Sequence, residues 1–565
     1  MATIEDIMLS KDERTFQYEN DLLSLPVPDL SNTLKKYLAS VRPLVSAEEY
    51  RTTEAVVKRF AEEEGPYLHQ RLTEFAEGKR NWIENWWEEQ SYLGMRLPLP
   101  MMNMSGFAQQ EDVWPARNGT QVPRAAAVLY YSLKFWEYTR KEMHRPAMDR
   151  RGRPLSMYMF KRIYNTVRLP GVDKDELIHY FKTEEEGDCP THVIVMSKGH
   201  IFCLEMFGED GELLTPPEIE VQLEKIKDKS IALGPAHGVP FLTSMGRSTW
   251  AETRSRLINL HPQNREISQT IQESIVALWL EDGTVSDESH HTVGEGIMMV
   301  SICTYIHKKL QETGGVWKGD RQIRSLPEPK HLQFVLDDEL MLTIDKAKED
   351  YAALYSVMIL DFKRLERYNE PYNALYEILR LVPTYETAPT RQFYHGRTAA
   401  MRTCTKEVLD WCTAMDDPKI AHQQKMKLFV RAVTRHLTDF AEATELKDCD
   451  RHLLGLSLIA KKEGRSTPEL YTDPSFSKSG GGGNYILVTS CLGYSSILGG
   501  VLPGAKHKNS IACFYKINDD KVTFFVSKWN EDVETTCSDF ATAICSALDS
   551  MKELADLIDI SSKGA

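Results

Sequence analysis

The sequence predicts a mixed α/β protein built on at least two cores. Three observations carry that expectation. The chain has 565 residues and is 42% hydrophobic, whereas a single core stops growing near roughly 250–300 residues. Its first hundred residues, and much of the stretch beyond 336, place apolar side chains at helical spacing. Short β-rich runs bounded by turn residues occupy much of the remainder.

Taken in order, "SNTLKKYLASVRPLV" sets Leu34, Tyr37, Leu38 and Val41 at helical spacing, with Ser31 as the expected cap. "NWIENWWEEQSYL" carries Trp82, Trp86 and Trp87, an aromatic stripe expected to pack into a core. From about 90 to 335, strand-like "THVIVMSKGHIFCLEMF" alternates with helical "AETRSRLINL" and "IMMVSICTYIHKKLQ", as in an α/β or α+β unit. From 336 the pattern is helical through "LMLTIDKAKEDYAALYSVMILDFKRLERY" and on to "RHLLGLSLIAKKEG". It then turns strand-like in "NYILVTSCLGYSSILGGVL", "SIACFYKI" and "KVTFFVSKW", and closes on the helix "CSDFATAICSALDSMKELADLI". "SKSGGGGNY" at 477–485 reads as a flexible turn, although its glycines also permit close approach of the backbone. The expected division is one domain over 91–335 and another combining 1–90 with 336–565.

Composition narrows the function. The net charge of −14 argues against nucleic acid or an anionic membrane as the main partner. No run of about 18 apolar residues occurs, so no transmembrane helix is expected. The start, "MATIEDIMLSKDER", lacks an apolar segment and is too acidic for a mitochondrial presequence. Ten scattered cysteines without a CxxC pair point to reduced thiols in an intracellular protein, and no metal site is expected.

Five stretches hold candidate chemistry. In "DESHHTVGEGI" (287–297), a histidine suits general-base work because its pKa of about 6.5 lies near neutrality. Glu295, four residues after His291, reaches it if the segment forms one helical turn, and His290 then points elsewhere. "PTYETAPTRQFYHGRTAAMR" (383–402) is dense in polar side chains, and its plain reading is a solvated loop. Arg451 stands just before an apolar helical run in "DRHLLGL", where an arginine is usually a surface or cap residue. The hydroxyls of "LVTS" (487–490) suit a developing oxyanion, although Ser and Thr are also ordinary strand residues. "SKWNEDVETT" (527–536) carries little by itself.

Together these stretches resemble a known family. "LLSLPVPDLSNTLKKYLASVRPLV", "KRNWIENWWEEQSYL", the His-x-x-x-Glu of 291–295, "TYET" with "FYHGRT", "DRHLLGL" and "TDPSFSKSGGGGN" follow one another in the order of the choline/carnitine acyltransferases. The resemblance spans nearly the whole chain. It is closest to the carnitine octanoyltransferase branch, through "RTFQYENDLLSLPVPDL", "LIAKKEG" and "SKSGGGGN".

The resemblance implies a monomer with a two-domain CoA-dependent acyltransferase-like fold: mixed sheets flanked by helices, and an active-site tunnel between the domains. It implies reversible acyl transfer between coenzyme A, as co-substrate, and L-carnitine, with no permanently bound cofactor. By residue carry-over, His291 is the base, Glu295 its acidic companion and Ser490 a catalytic hydroxyl. Tyr385, Thr398, Arg451 and Thr489 bind carnitine, the first three through its carboxylate. Gly499 opens the acyl pocket to medium chains. Lys363, Arg364 and Arg367 meet the coenzyme A phosphate, where the plain reading is an exposed basic helix face. The branch implies a peroxisomal location, although "SSKGA" is not an SKL-type address; the cytoplasm is the alternative.

This chain also departs from the family's pattern. Val488 stands where the family has the first serine of Ser-Thr-Ser, removing a hydrogen-bond donor. Stretches are missing before His291 and before "PTYET", beside the expected active and cofactor sites, and "KNSIA" replaces a glycine-containing turn. A catalytically impaired relative that binds carnitine or acyl-CoA is therefore the alternative expectation.

Overall fold

The computed structural model describes residues 3–99, 104–108, 121–279, 286–290, 292–357, 360–368, 382–491, 499–501, 510–517, 521–529 and 536–563. Two units divide the chain. The first comprises Met1–Asp21, Trp86–Met358 and Ser495–Gly500; the second comprises Leu22–Asn85, Ile359–Tyr494 and Val501–Ala565. These boundaries differ from the expected cuts at 90 and 335, and packing explains why. Ile4 lies in the main core of the first unit. The helix Asp338–Val357 buries Leu340, Ile344 and Ala347 against Leu242 and Leu257 of that same unit.

Within the first unit the strands are β1 (Met104–Ala108), β2 (Thr166–Leu169), β3 (Glu176–His179), β4 (His192–Ser197), β5 (His200–Glu205), β6 (Ala277–Trp279), β7 (Ser286–His290) and β8 (Lys330–His331). β4 and β5, in the stretch expected to be strand-like, form a hairpin that turns through Lys198 (φ 49°) and Gly199 (φ 78°). Two successive positive φ values match the turn to the twist of the strands. This hairpin is the centre of a sheet ordered β6-β4-β5-β8. Val193, Val195, Phe202 and Leu204 pack with residues of the helices Gln121–Arg140 and Pro216–Leu233 in one apolar cluster. β2 and β3 form a separate antiparallel pair. β1 and β7 pair antiparallel with Met104 opposite His290, and the helix Gly296–Thr313 follows.

The second unit is organised on a six-stranded sheet. Its strands are β9 (Leu360–Tyr368), β10 (Thr384–Pro389), β11 (Thr398–Arg402), β12 (Leu487–Cys491), β14 (Ile511–Ile517) and β15 (Lys521–Trp529), ordered β11-β10-β12-β14-β15-β9. β13 (Gly499–Val501) instead joins the β1–β7 ladder. β10, β12 and β14 are parallel and the remaining pairs antiparallel. Apolar residues of β12, β14 and β15 cluster with Trp411, Ala432 and the C-terminal helix Cys537–Lys563.

Four local expectations change here. The helix expected to run through "ILDFKRLERY" stops at Val357, and Leu360–Tyr368 is β9, paired along its length with β15. Sheet pairing outweighs local propensity, as it commonly does for strands. The polar 383–402 stretch is a loop only at 390–397, which joins the antiparallel β10 and β11. The cap of the helix Leu30–Val41 is Asp29, whose carboxylate accepts from the Asn32 N–H at 2.8 Å; Ser31 donates to that same carboxylate. Trp82 is buried and donates to the Pro26 carbonyl at 3.0 Å, but it precedes the short helix Glu84–Glu88 that holds Trp86 and Trp87.

Among the described residues, no helix is long and apolar enough to cross a membrane, and no cluster of three His, Cys, Asp or Glu is arranged for a metal.

Candidate active site

Of the hydroxyl and aromatic candidates in the second unit, Tyr385, Thr398 and Ser490 gather on one sheet face, and Thr489 does not. Parallel pairing sets Tyr385 beside Val488 and Glu386 beside Thr489, while antiparallel pairing sets Tyr385 opposite Arg402 and Pro389 opposite Thr398. Side chains alternate along strands, so Tyr385, Thr387, Thr398, Val488 and Ser490 share one side. That side is half-open: Tyr385, Thr387, Thr398, Val488 and Ser490 are all only partly buried. Thr387 and Ser490 hydroxyls bond each other at 2.9 Å. Thr387 was absent from the sequence candidates, although it lies one strand period from Tyr385.

Arg451 is buried inside the first turn of the helix Asp450–Lys462, not ahead of it on the surface. Its Nε and Nη2 donate to the Thr398 carbonyl at 3.1 and 2.8 Å. This contact orients the guanidinium, and the buried Asp448 carboxyl lies close enough to feel its charge. Arg402 is held differently. Asp450 accepts from its Nε at 3.0 Å and Nη2 at 2.7 Å, and Nη1 donates to the Ser479 carbonyl at 2.9 Å.

That last bond ties the glycine-rich segment to the sheet. The segment is a defined turn, with Gly480 (φ 94°), Gly482 (φ 68°) and Gly483 (φ 83°) in conformations that favour glycine. A side chain at Gly480 would also meet the Tyr485 ring, since its Cβ would lie 2.4 Å from Cε1. The space is used, because the Tyr485 ring packs against Tyr385 with centroids 5.2 Å apart. The tetraglycine thus seats a second aromatic ring at the candidate site.

Thr489 stands on the opposite, core-facing side of the ladder, away from Tyr385 and Ser490. It is buried, and its hydroxyl donates to the Tyr385 carbonyl at 3.1 Å and also contacts the Glu386 carboxyl. Tyr515 reaches Glu386 at 3.3 Å. Burial lifts the Glu386 carboxyl to about 7, against an ordinary 4.5, even though the Thr489 and Tyr515 hydrogen bonds pull the other way. In its protonated form Glu386 can donate to Thr489 while Thr489 donates to the Tyr385 carbonyl. Ionised, it becomes acceptor-only and competes for the Thr489 proton. Asp448 is a second raised carboxyl, at about 6 through burial and the neighbouring Asp450 charge, and it accepts from the Asp450 N–H at 2.9 Å.

In the first unit, His290 ends β7, while His291 lies outside the described residues. Thr292 and Val293 form a turn, and Glu295 is extended (φ −98°, ψ 157°), capping a helix that starts at Gly296. Residues 292–295 therefore do not form the expected helical turn, because a turn at 292–293 and an extended Glu295 occupy them. Glu295 is buried. Thr292, fully buried, accepts from Arg168 Nη1 through its hydroxyl at 3.2 Å and from Arg162 Nη2 through its carbonyl at 3.2 Å. No sequence signal pointed to these arginines, which precede Thr292 by well over a hundred residues.

Gly499 stands in β13 beside β1. Lys363, Arg364 and Arg367 belong to β9 and so cannot form a helix face; their side chains lie outside the described residues.

Comparison with known proteins follows the same residues. Segments 25–292 and 281–546 match the family description choline/carnitine O-acyltransferase. The peroxisomal carnitine O-octanoyltransferase of Bos taurus is 35% identical over an aligned length of 607, covering 97% of this chain and 98% of its own. Its Homo sapiens counterpart is 36% identical over 584, covering 93% and 95%. Carnitine O-acetyltransferase of Rattus norvegicus is 28% identical over 627, covering 98% and 97%. The aligned length of 607 exceeds the 565 residues present, so the bovine protein holds residues without a counterpart here. The two family matches meet at 281–292, where a missing stretch is expected from the sequence.

Proposed function

The chain belongs to the choline/carnitine O-acyltransferase family, and from that premise we propose that it moves a medium-chain, octanoyl-like acyl group reversibly between coenzyme A and the hydroxyl of L-carnitine. His291 accepts the proton of that hydroxyl, and the alkoxide attacks the thioester carbonyl directly, with no acyl-enzyme. Ser490 donates to the oxyanion of the tetrahedral intermediate. Its collapse breaks the carbon–sulfur bond, and the departing thiolate recovers the proton from His291. Glu295 supports the charged imidazole. Tyr385, Thr398 and Arg451 bind the carnitine carboxylate, for which a guanidinium is well suited. Thr489 contributes from behind the sheet, through its bond to the Tyr385 carbonyl. Lys363, Arg364 and Arg367 meet the coenzyme A phosphate, and Gly499 leaves room for the acyl chain.

The observation that supports this reading best is the half-open ladder face on which Tyr385, Thr387 and Ser490 gather, with Arg451 bonded to the Thr398 backbone. The medium-chain preference draws on the octanoyltransferase relatives, which are 35–36% identical, against 28% for the acetyltransferases. The peroxisomal relatives support a peroxisomal location, and the enzyme acts as a monomer.

A second reading has its own observation. The chain is shorter than its aligned length with the bovine relative, and Val488 faces the same side as Ser490. These favour a member that binds carnitine or acyl-CoA without efficient turnover. Free-thiol release from octanoyl-CoA, with and without carnitine, separates the two. Carnitine-dependent release by the wild type, lost in His291→Ala, is the expected result. No release by the wild type favours the second reading, and equal rates in both proteins remove His291 from its role.

A further inference from the structure

Thr292 follows His291 directly in the chain, and it is gripped from two elements at once. Arg162, at the end of the short helix Tyr158–Arg162, is paired with Glu88 and donates to the Thr292 carbonyl at 3.2 Å. Arg168, on β2, assigns each of its three nitrogens to a separate acceptor. Nε bonds Asp175 at 2.6 Å, Nη1 the Thr292 hydroxyl at 3.2 Å, and Nη2 the Tyr92 carbonyl at 2.7 Å. Asp175, its side chain fully buried, also accepts from Arg247 Nε at 2.7 Å and Arg96 Nη2 at 3.0 Å. One donor fixes the Thr292 side chain and the other its carbonyl, so both the rotamer and the orientation of the backbone are set there. Guanidinium forks are planar and preorganised, which makes such a grip stiff. Buried arginines are costly to desolvate, and two of them each spend a hydrogen bond on Thr292.

We propose that Arg162 and Arg168 are positioning residues for acyl transfer, holding Thr292, the residue that directly follows His291, in one orientation. The inference rests on the reading of His291 as the base. Neither arginine touches substrate; both act through Thr292. Misplacing a reacting group by about 1 Å can cost on the order of a hundredfold in rate.

The test compares Thr292→Val, Thr292→Ser, Arg168→Lys, His291→Ala and the double variant Thr292→Val/His291→Ala in the full chain, with octanoyl-CoA and carnitine. Thr292→Val keeps the volume but removes the acceptor. Its kcat is expected to fall by about tenfold to a hundredfold, with both KM values within about twofold of wild type. Thr292→Ser, which keeps the acceptor, retains most of the wild-type kcat. Arg168→Lys follows Thr292→Val, because an ammonium cannot serve three divergent acceptors. Adding Thr292→Val to His291→Ala costs nothing more, since the orientation of an absent base is irrelevant. Wild-type kcat in Thr292→Val, with His291→Ala inactive, overturns the inference alone. A further fall in the double variant, by the same factor as in the single one, overturns it too. A His291→Ala variant as active as the wild type removes the base itself and the inference with it. Should Arg168→Lys fail to fold, the Val and Ser pair at 292 carries the same test.

Discussion

Two polar regions, one in each unit, use arginine in opposite ways. Around Asp175, three arginines converge on one buried carboxylate, and Arg168 has an acceptor for every nitrogen. Around Tyr385, the sheet face is half-open, Arg451 is held by a main-chain carbonyl, and Thr387 and Ser490 bond each other. The first is framework, because a carboxylate sealed among guanidiniums leaves little for a ligand to gain. The second suits a ligand, since its hydroxyls lie on a partly open face and bond one another. Arg402 marks the boundary between the two uses. It is one strand away from Tyr385, yet Asp450 and Ser479 commit it to structure.

The strongest challenge to this comparison is Asp175→Asn. Removing the carboxylate from three buried arginines is expected to destabilise the protein by about 3–5 kcal/mol, read as a lower urea midpoint. A loss below about 1 kcal/mol would show that the cluster is not framework.

Next is Glu386, through pH. Its folded-state carboxyl titrates near 7 against an ordinary 4.5. Between those values the folded chain keeps a proton that the unfolded chain has released, so stability falls as pH rises through that window. The full effect is about 3 kcal/mol, from roughly 1.4 kcal/mol per pKa unit. Urea midpoints across that range should decline in the wild type and decline less in Glu386→Gln. An unchanged slope in the variant assigns the dependence elsewhere, with Asp448 the next group to test.

Arg451→Lys bears on the ligand-facing region. It keeps the charge but loses the fork, and the expected cost of about 1.5–3 kcal/mol appears as a rise of about tenfold to a hundredfold in the KM for carnitine. The KM for octanoyl-CoA and the urea midpoint should move far less. A collapse in stability without a carnitine effect would place Arg451 with the framework arginines. The smallest expected change is Val488→Ser, which restores a hydroxyl on the Ser490 side. About 1 kcal/mol is at stake, so the carnitine-dependent rate should rise by less than about tenfold. A larger gain would mean that Val488 is what limits turnover.

Much of this protein is legible along the chain. The strands β4 and β5, the helices Arg247–Leu260 and Gly296–Thr313, the strands β14 and β15 and the C-terminal helix all follow from residue pattern and periodicity. The ordered motifs are sufficient for the family, because many modest local matches in one order are jointly specific. Signals that act over a few residues survive in a sequence.

What tertiary structure decided are the relations that cross the chain. Leu360–Tyr368 became a strand because β15 offered an edge. Residues 292–295 became turn and cap, not a helical turn. Thr489 and Ser490 are neighbours in sequence, yet the register of three parallel strands sends one into the core, onto Glu386, and the other to the open face. Asp175 gathers arginines from positions 96, 168 and 247. The physical reason is the same throughout: pairing register and the satisfaction of buried charge depend on which distant partner arrives, and no local pattern records that.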